Sequence, residues 1–117
     1  LDELALPFGL ATSSRRPWVE KHFAAHGLSD RFRAVVTRQD CLEGKPHPEP
    51  YLNASRLLAA APGDVLALED SYAGVESAHA AGCMTVMIPD LLAPTDVERG
   101  RAWIVTSLSD VTRLLSR

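Results

Sequence analysis

The stretch Val65 to Gly82, VLALEDSYAGVESAHAAG, restricts what this chain can fold into more than any other. An apolar run stops at two adjacent carboxylates, Glu69 and Asp70, and a run of small residues at helical spacing follows without a linker. A strand that ends at an acidic pair and turns straight into a helix puts the pair on the carboxyl edge of a sheet. In open α/β folds that edge is where ligands bind. The helix is expected to bury Val75 and Ala78 and to stop at Gly82, a residue suited to a left-handed cap.

The same unit recurs along the chain. Phe8–Ala11 follows Pro7 as a short apolar run, predicting a buried strand that ends in Thr12-Ser13-Ser14-Arg15-Arg16. Hydroxyls there are expected to cap a helix that Pro17 opens and Gly27 closes, with Val19, Phe23 and His26 on one face. A second strand is expected at Ala34–Thr37. The polar loop from Arg38 to Glu49 follows, stiffened by Pro46, Pro48 and Pro50. The next helix runs to about Ala60 with Tyr51, Ser55 and Leu58 on one face, and Pro62-Gly63 ends it. After the Val65–Leu68 strand and its helix, Met84–Ile88 reads as a fourth strand stopped by Pro89. Asp90 to Gly100 reads as irregular and Ala102–Val105 as a short fifth strand. Ser107-x-x-Asp110 reads as the start of a last helix bearing Leu108, Val111, Leu114 and Leu115. Strands that are unbroken apolar runs alternating with helices predict a doubly wound parallel α/β sheet covered on both faces, in one domain of 117 residues.

The bulk chemistry narrows the function. A net charge of −3 and scattered basic residues, clustered only at Arg15-Arg16, argue against a nucleic-acid partner. No apolar run is long enough to cross a bilayer. Cys41 and Cys83 lack CxxC spacing and read as reduced thiols of a cytoplasmic protein. His22, His26, His47 and His79 have no mutual metal spacing and read as structural or exposed; Trp18 and Trp103 read as packing.

Three strand-end features are expected to converge: Thr12-Ser13-Ser14, the loop around Lys45, and Glu69-Asp70. Two adjacent carboxylates repel unless a cation lies near. Hard oxygen donors of this kind suit Mg²⁺, which takes one or two protein carboxylates together with water and substrate phosphate. Hydroxyls and backbone N–H groups at a helix start hold phosphate oxygens, and a lysine adds a point charge for the same group. Together they describe a phosphoryl-transfer site. Taken singly, each has a plainer reading: the acidic pair and the hydroxyls as helix caps, Lys45 as a solvated surface lysine, and Arg15 and Arg16 as an exposed helix start rather than a grip on a second anionic group.

The order of the motifs, a hydroxyl after one strand, GKP in a proline-rich loop, then an apolar run with ED-S-x-x-G before a helix, resembles the haloacid dehalogenase superfamily, more narrowly its β-phosphoglucomutase and sugar-phosphatase branch. GLATSSRR matches the second motif of that family, GKPHPEPY the third and LALEDSYAGVESAHAAG the fourth, from about Phe8 to Val105. The resemblance implies that Thr12 hydrogen-bonds the transferring phosphoryl group and that Lys45 neutralises it. It implies that Asp70 binds Mg²⁺ with Glu69 as a ligand or its partner, and that Ser13 and Ser14 lie close to the phosphate or substrate. It also implies an Mg²⁺-dependent phosphatase of a small phosphorylated metabolite such as a sugar phosphate, working through an aspartyl-phosphate. The alternatives are a phosphomutase of the same branch and a non-catalytic phosphate- or partner-binding α/β module.

One motif of the family is missing. No Asp-x-Asp occurs in these residues, whereas the family carries DxDGT on its opening strand, followed by a helical cap domain. The chain opens on LDELAL, which reads as the tail of a helix, so a partial core is expected, with that strand and the cap missing. The family places the strand between the Phe8 and Val65 strands. Without it, both neighbours lose a hydrogen-bonding partner, and the chain alone is expected to fold poorly.

Overall fold

The computed structural model of the chain describes residues 6–27, 32–89 and 93–115. The chain order is β1 (Gly9–Ala11), α1 (Arg16–His26), β2 (Ala34–Val36), α2 (Glu49–Leu57), β3 (Leu66–Glu69), α3 (Tyr72–Ala81), β4 (Met84–Met87), α4 (Asp96–Arg99), β5 (Trp103–Ile104) and α5 (Leu108–Leu115). The α/β alternation expected from the sequence is present, and every strand pair is parallel. Of the helix tail expected over residues 1–6, residues 1–5 lie outside the described residues and Leu6 is not helical.

The strands form two sheets. One has the order β1-β2 and the other β3-β4-β5. Gly9, Leu10 and Ala11 pair with Ala34, Val35 and Val36, and Leu66–Glu69 pair with Met84–Met87. β1 and β3 are therefore edge strands that share no ladder, and the division falls at the position where the resemblance places a further strand. Gly9 is required where it stands, because a Cβ there would lie 2.9 Å from the Ala34 carbonyl oxygen.

α2 joins the halves. It packs on β1, β2 and α3. Ala54 meets Val36 and Cys41 in one buried cluster, with Ala11 against it, while Tyr51 belongs to a second cluster with Ala67, Ala78, Ala81 and Cys83. Ser77 Oγ of α3 donates to the His47 carbonyl at 2.7 Å, tying α3 to the proline-rich loop. Val75 and Ala78 are fully buried, as the helical spacing predicts, and Gly82 closes α3 at φ 90°. Among the described residues, no helix is long and apolar enough to cross a membrane.

Four local expectations are corrected. α1 is not capped by the hydroxyls after β1. Its N-cap is Arg15, which makes no side-chain cap, and Gln39 Oε1 accepts from the Arg16 N–H at 2.8 Å. Thr12 Oγ1 is engaged earlier, accepting from the Ser14 N–H at 3.1 Å, so a turn intervenes before the helix. α2 ends at Leu57, short of Ala60, because Ala59 takes a left-handed φ of 57°. Residues 96–99 are helical, not irregular: Thr95-x-x-Glu98 is a capping box, with Thr95 accepting from Val97 N–H and Glu98 accepting from Thr95 N–H. At α5, Asp110 accepts from the backbone N–H and hydroxyl of Thr106, one residue before the expected Ser107.

Candidate functional site

A cleft of about 600 Å³ opens at the carboxyl ends of β1 and β3. Its wall includes Leu10, Ala11, Thr12 and Ser13 from one sheet, Leu68, Glu69 and Asp70 from the other, and Lys45 between them. Parallel strands that end together, each followed by a turn into a helix, bring residues far apart in sequence to one edge. Of the residues singled out from the sequence, Thr12, Ser13, Lys45, Glu69 and Asp70 meet here. Ser14 is not in the wall; its N–H turns back to Thr12 and its carbonyl accepts from Arg38 N–H at 3.1 Å. Arg16 is bound to Asp40 at 2.7 Å.

Lys45 is not a solvated loop lysine. The loop carries its side chain inward until only 12% is exposed, and Nζ donates to the Ala11 carbonyl at 3.0 Å and to Glu69 Oε2 at 2.5 Å. One lysine thus spans the two edge strands. The loop that aims it is held by Glu49, whose carboxylate accepts from the Leu42 N–H at 2.8 Å and the Glu43 N–H at 3.0 Å. Those two amides hold the Glu49 carboxyl below its ordinary range.

The two members of the acidic pair have different environments. Glu69, the last residue of β3, is 8% exposed. Its Oε2 accepts from both Lys45 Nζ and the Tyr51 hydroxyl. Asp70, one residue on, is exposed, and no hydrogen bond to its carboxylate is made among the described residues. Neither is a helix cap: Ser71 caps α3, its hydroxyl accepting from Gly74 N–H at 3.0 Å. Tyr51 is the residue that sequence reasoning missed as part of the site. Burial and the Glu69 carboxylate push its phenol well above the usual range, so it is held as a hydrogen-bond donor. Its signal was a tyrosine on the buried face of a helix just after the loop, since a buried phenol requires a polar partner.

The donor set fits Mg²⁺ in part. Asp70 offers an uncommitted carboxylate, and a wall of hydroxyl and ammonium groups suits the phosphate that would complete the ion's shell. Glu69 has one oxygen already committed to two donors. No group of three or more His, Cys, Asp or Glu side chains that could hold an ion alone is present among the described residues.

Comparison with known proteins agrees with the motif order. The family model described as haloacid dehalogenase-like hydrolase matches residues 1–88. YhcW of Bacillus subtilis (strain 168) is 41% identical over 93 residues, covering 80% of this chain and 42% of that protein. The phosphoglycolate phosphatase of Escherichia coli (strain K12) is 34% identical over 86 residues, covering 74% of this chain and 34% of that protein. Among solved structures, CbbY from Rhodobacter sphaeroides in complex with phosphate superposes with a TM-score of 0.82 at 26% identity, covering 94% of this chain and 50% of that one. The chain spans half or less of the length of each of these proteins.

Proposed function

This chain belongs to the haloacid dehalogenase-like hydrolase family, on the branch of the phosphoglucomutases and phosphatases, and we propose that its cleft is the phosphate-holding part of an Mg²⁺-dependent phosphomonoester hydrolase. The substrate class is a small phosphorylated metabolite such as a sugar phosphate. One observation carries the reading: a hydroxyl from Thr12, an ammonium from Lys45 and an uncommitted carboxylate from Asp70 face one cleft at the carboxyl edge of two parallel sheets. An unrelated cap, a solvated lysine and a dipole-facing acid would have no reason to meet there.

The roles follow from chemistry and position. Thr12 Oγ1 already accepts from Ser14 N–H, which leaves its proton to donate to a phosphoryl oxygen. Lys45 has two of its three N–H donors engaged by Ala11 and Glu69, leaving one for the same group. Ser13 lies at the rim, exposed, within the same wall. Asp70 would hold Mg²⁺, with Glu69 beside it; bound there, the ion would offset charge on the phosphoryl oxygens. The attacking group we assign is an aspartate, forming an aspartyl-phosphate that water then cleaves. We place it on a strand between β1 and β3, whose unladdered edges line the cleft. The two free buried thiols fit a reducing compartment, the cytoplasm.

The test is turnover of p-nitrophenyl phosphate and of hexose 1-phosphates by the intact protein. Hydrolysis that stops on chelation and returns with Mg²⁺ is expected, with inorganic phosphate as product. Conversion of hexose 1-phosphate to hexose 6-phosphate would make the protein a mutase. Lys45→Ala is expected to lower kcat by about 10²- to 10³-fold, the effect of losing one preorganised donor. Wild-type turnover in that variant would refute the role given to Lys45.

A further inference from the structure

We propose that Tyr51 is a positioning residue of this site: its hydroxyl, working against the bare Cα of Gly74, pins the Glu69 carboxylate so that Lys45 is held with one N–H turned to the cleft. The inference rests on the reading of the cleft as a phosphate site and adds a residue that does not line it.

Three observations converge. The first is that Tyr51 and Lys45 donate to the same oxygen, Glu69 Oε2, one from α2 and one from the loop that leads into it. Both side chains are largely shielded from water, and the Lys45 ammonium lies 5.3 Å from the centre of the Tyr51 ring. The second is the notch at Gly74. A Cβ on that residue would lie 1.8 Å from Glu69 Oε1 and 2.1 Å from its Cδ, closer than any real contact. Helix α3 thus omits one side chain in the turn that passes over Glu69, and the carboxylate fills the gap. The third is the lack of a ladder between β1 and β3. Across that division the Ala11–Lys45–Glu69 link joins the ends of β1 and β3, and Tyr51 holds its far end.

Glu69 is therefore held at both oxygens, by donors at Oε2 and by the helix at Oε1. A rotamer change that moved it away would leave the Tyr51 hydroxyl buried without this partner, which opposes the change. The lysine inherits this order, because a third of its hydrogen-bonding capacity points along a fixed line.

The experiment is nitrogen-15 NMR of the Lys45 ammonium in the intact protein, at low temperature and mildly acidic pH, beside steady-state kinetics with p-nitrophenyl phosphate. The wild type is expected to show a slowly exchanging Lys45 signal. Tyr51→Phe is expected to lose that signal and to lower kcat about tenfold or more with KM changed less than about threefold, the range for a hydrogen bond to a charged group. If Tyr51→Phe does not fold, Gly74→Ala decides, since it displaces Glu69 without touching either donor, and the same loss of signal is expected. A Tyr51→Phe protein that keeps the signal, or that loses it with turnover unchanged, overturns the proposal. A wild type that hydrolyses no phosphate ester refutes the phosphatase reading instead, and the ammonium signal still reports on Tyr51.

Discussion

The Lys45–Glu69 pair can be measured as a double-mutant cycle, because the structure sets a different cost for each corner. The side chains are 12% and 6% exposed, so both charges are largely out of water. Lys45→Met keeps the length of the side chain and removes the charge, leaving the Glu69 carboxylate with the Tyr51 hydroxyl alone. Removing one partner of a buried pair costs about 3–5 kcal/mol, mostly the penalty of the stranded charge. Glu69→Gln is expected to cost less, about 1–3 kcal/mol, since the amide oxygen still accepts from Tyr51 and the lysine keeps the Ala11 carbonyl. The double variant carries no buried charge and is expected to be no worse than the Lys45 variant, giving a coupling at least as large as the Glu69→Gln cost, about 1–3 kcal/mol. Urea unfolding of the intact protein, followed by circular dichroism, reads all four corners. Losses that add to within about 0.5 kcal/mol would mean the two groups do not depend on one another, and the account of how the sheet ends are tied would fail.

Three further outcomes follow from single residues. Tyr51 has its phenol pKa raised above the ordinary value near 10, so the stability it contributes is complete below about pH 10 and is lost as pH climbs beyond that; the alkaline limb of a stability profile is expected to be shallower in Tyr51→Phe, and identical limbs would refute it. Gly82→Ala is expected to cost about 1–2 kcal/mol, entirely from the backbone, because φ is 90° and the nearest atom to an added Cβ is Pro62 Cβ at 3.9 Å; denaturant midpoints check it, and an unchanged midpoint contradicts it. Cys41 and Cys83 are both buried, and burial pushes both thiols up, so neither is expected to react with a disulfide reagent until the protein unfolds; rapid labelling in native buffer would contradict their placement.

What the sequence made legible is what depends on short-range patterns. The apolar run into Glu69-Asp70, the buried face through Val75 and Ala78, and Gly82 as a left-handed stop were all readable, since period and cap chemistry are local. Thr95-x-x-Glu98 was equally local, yet a loop rich in charge masked a four-residue helix whose capping box stood in plain view. The cap of α1 was out of reach for the opposite reason: its donor is met by Gln39, 23 residues away. The same limit governs the site. Type and spacing pointed to Thr12, Lys45 and the acidic pair, but not to the division of labour between Glu69 and Asp70. That division is made by Tyr51 and Gly74, which act through space and are unremarkable as letters.

The central claim, that the carboxyl ends of β1 and β3 hold a phosphoryl group between Thr12, Lys45 and Asp70, is tested most directly by titrating the intact protein with inorganic phosphate and Mg²⁺ under NMR observation. Saturable shifts are predicted at Thr12, Ser13, Lys45 and Asp70, and their loss in Lys45→Ala. Phosphate that leaves those signals in place, or that acts equally on the Lys45 variant, would contradict it.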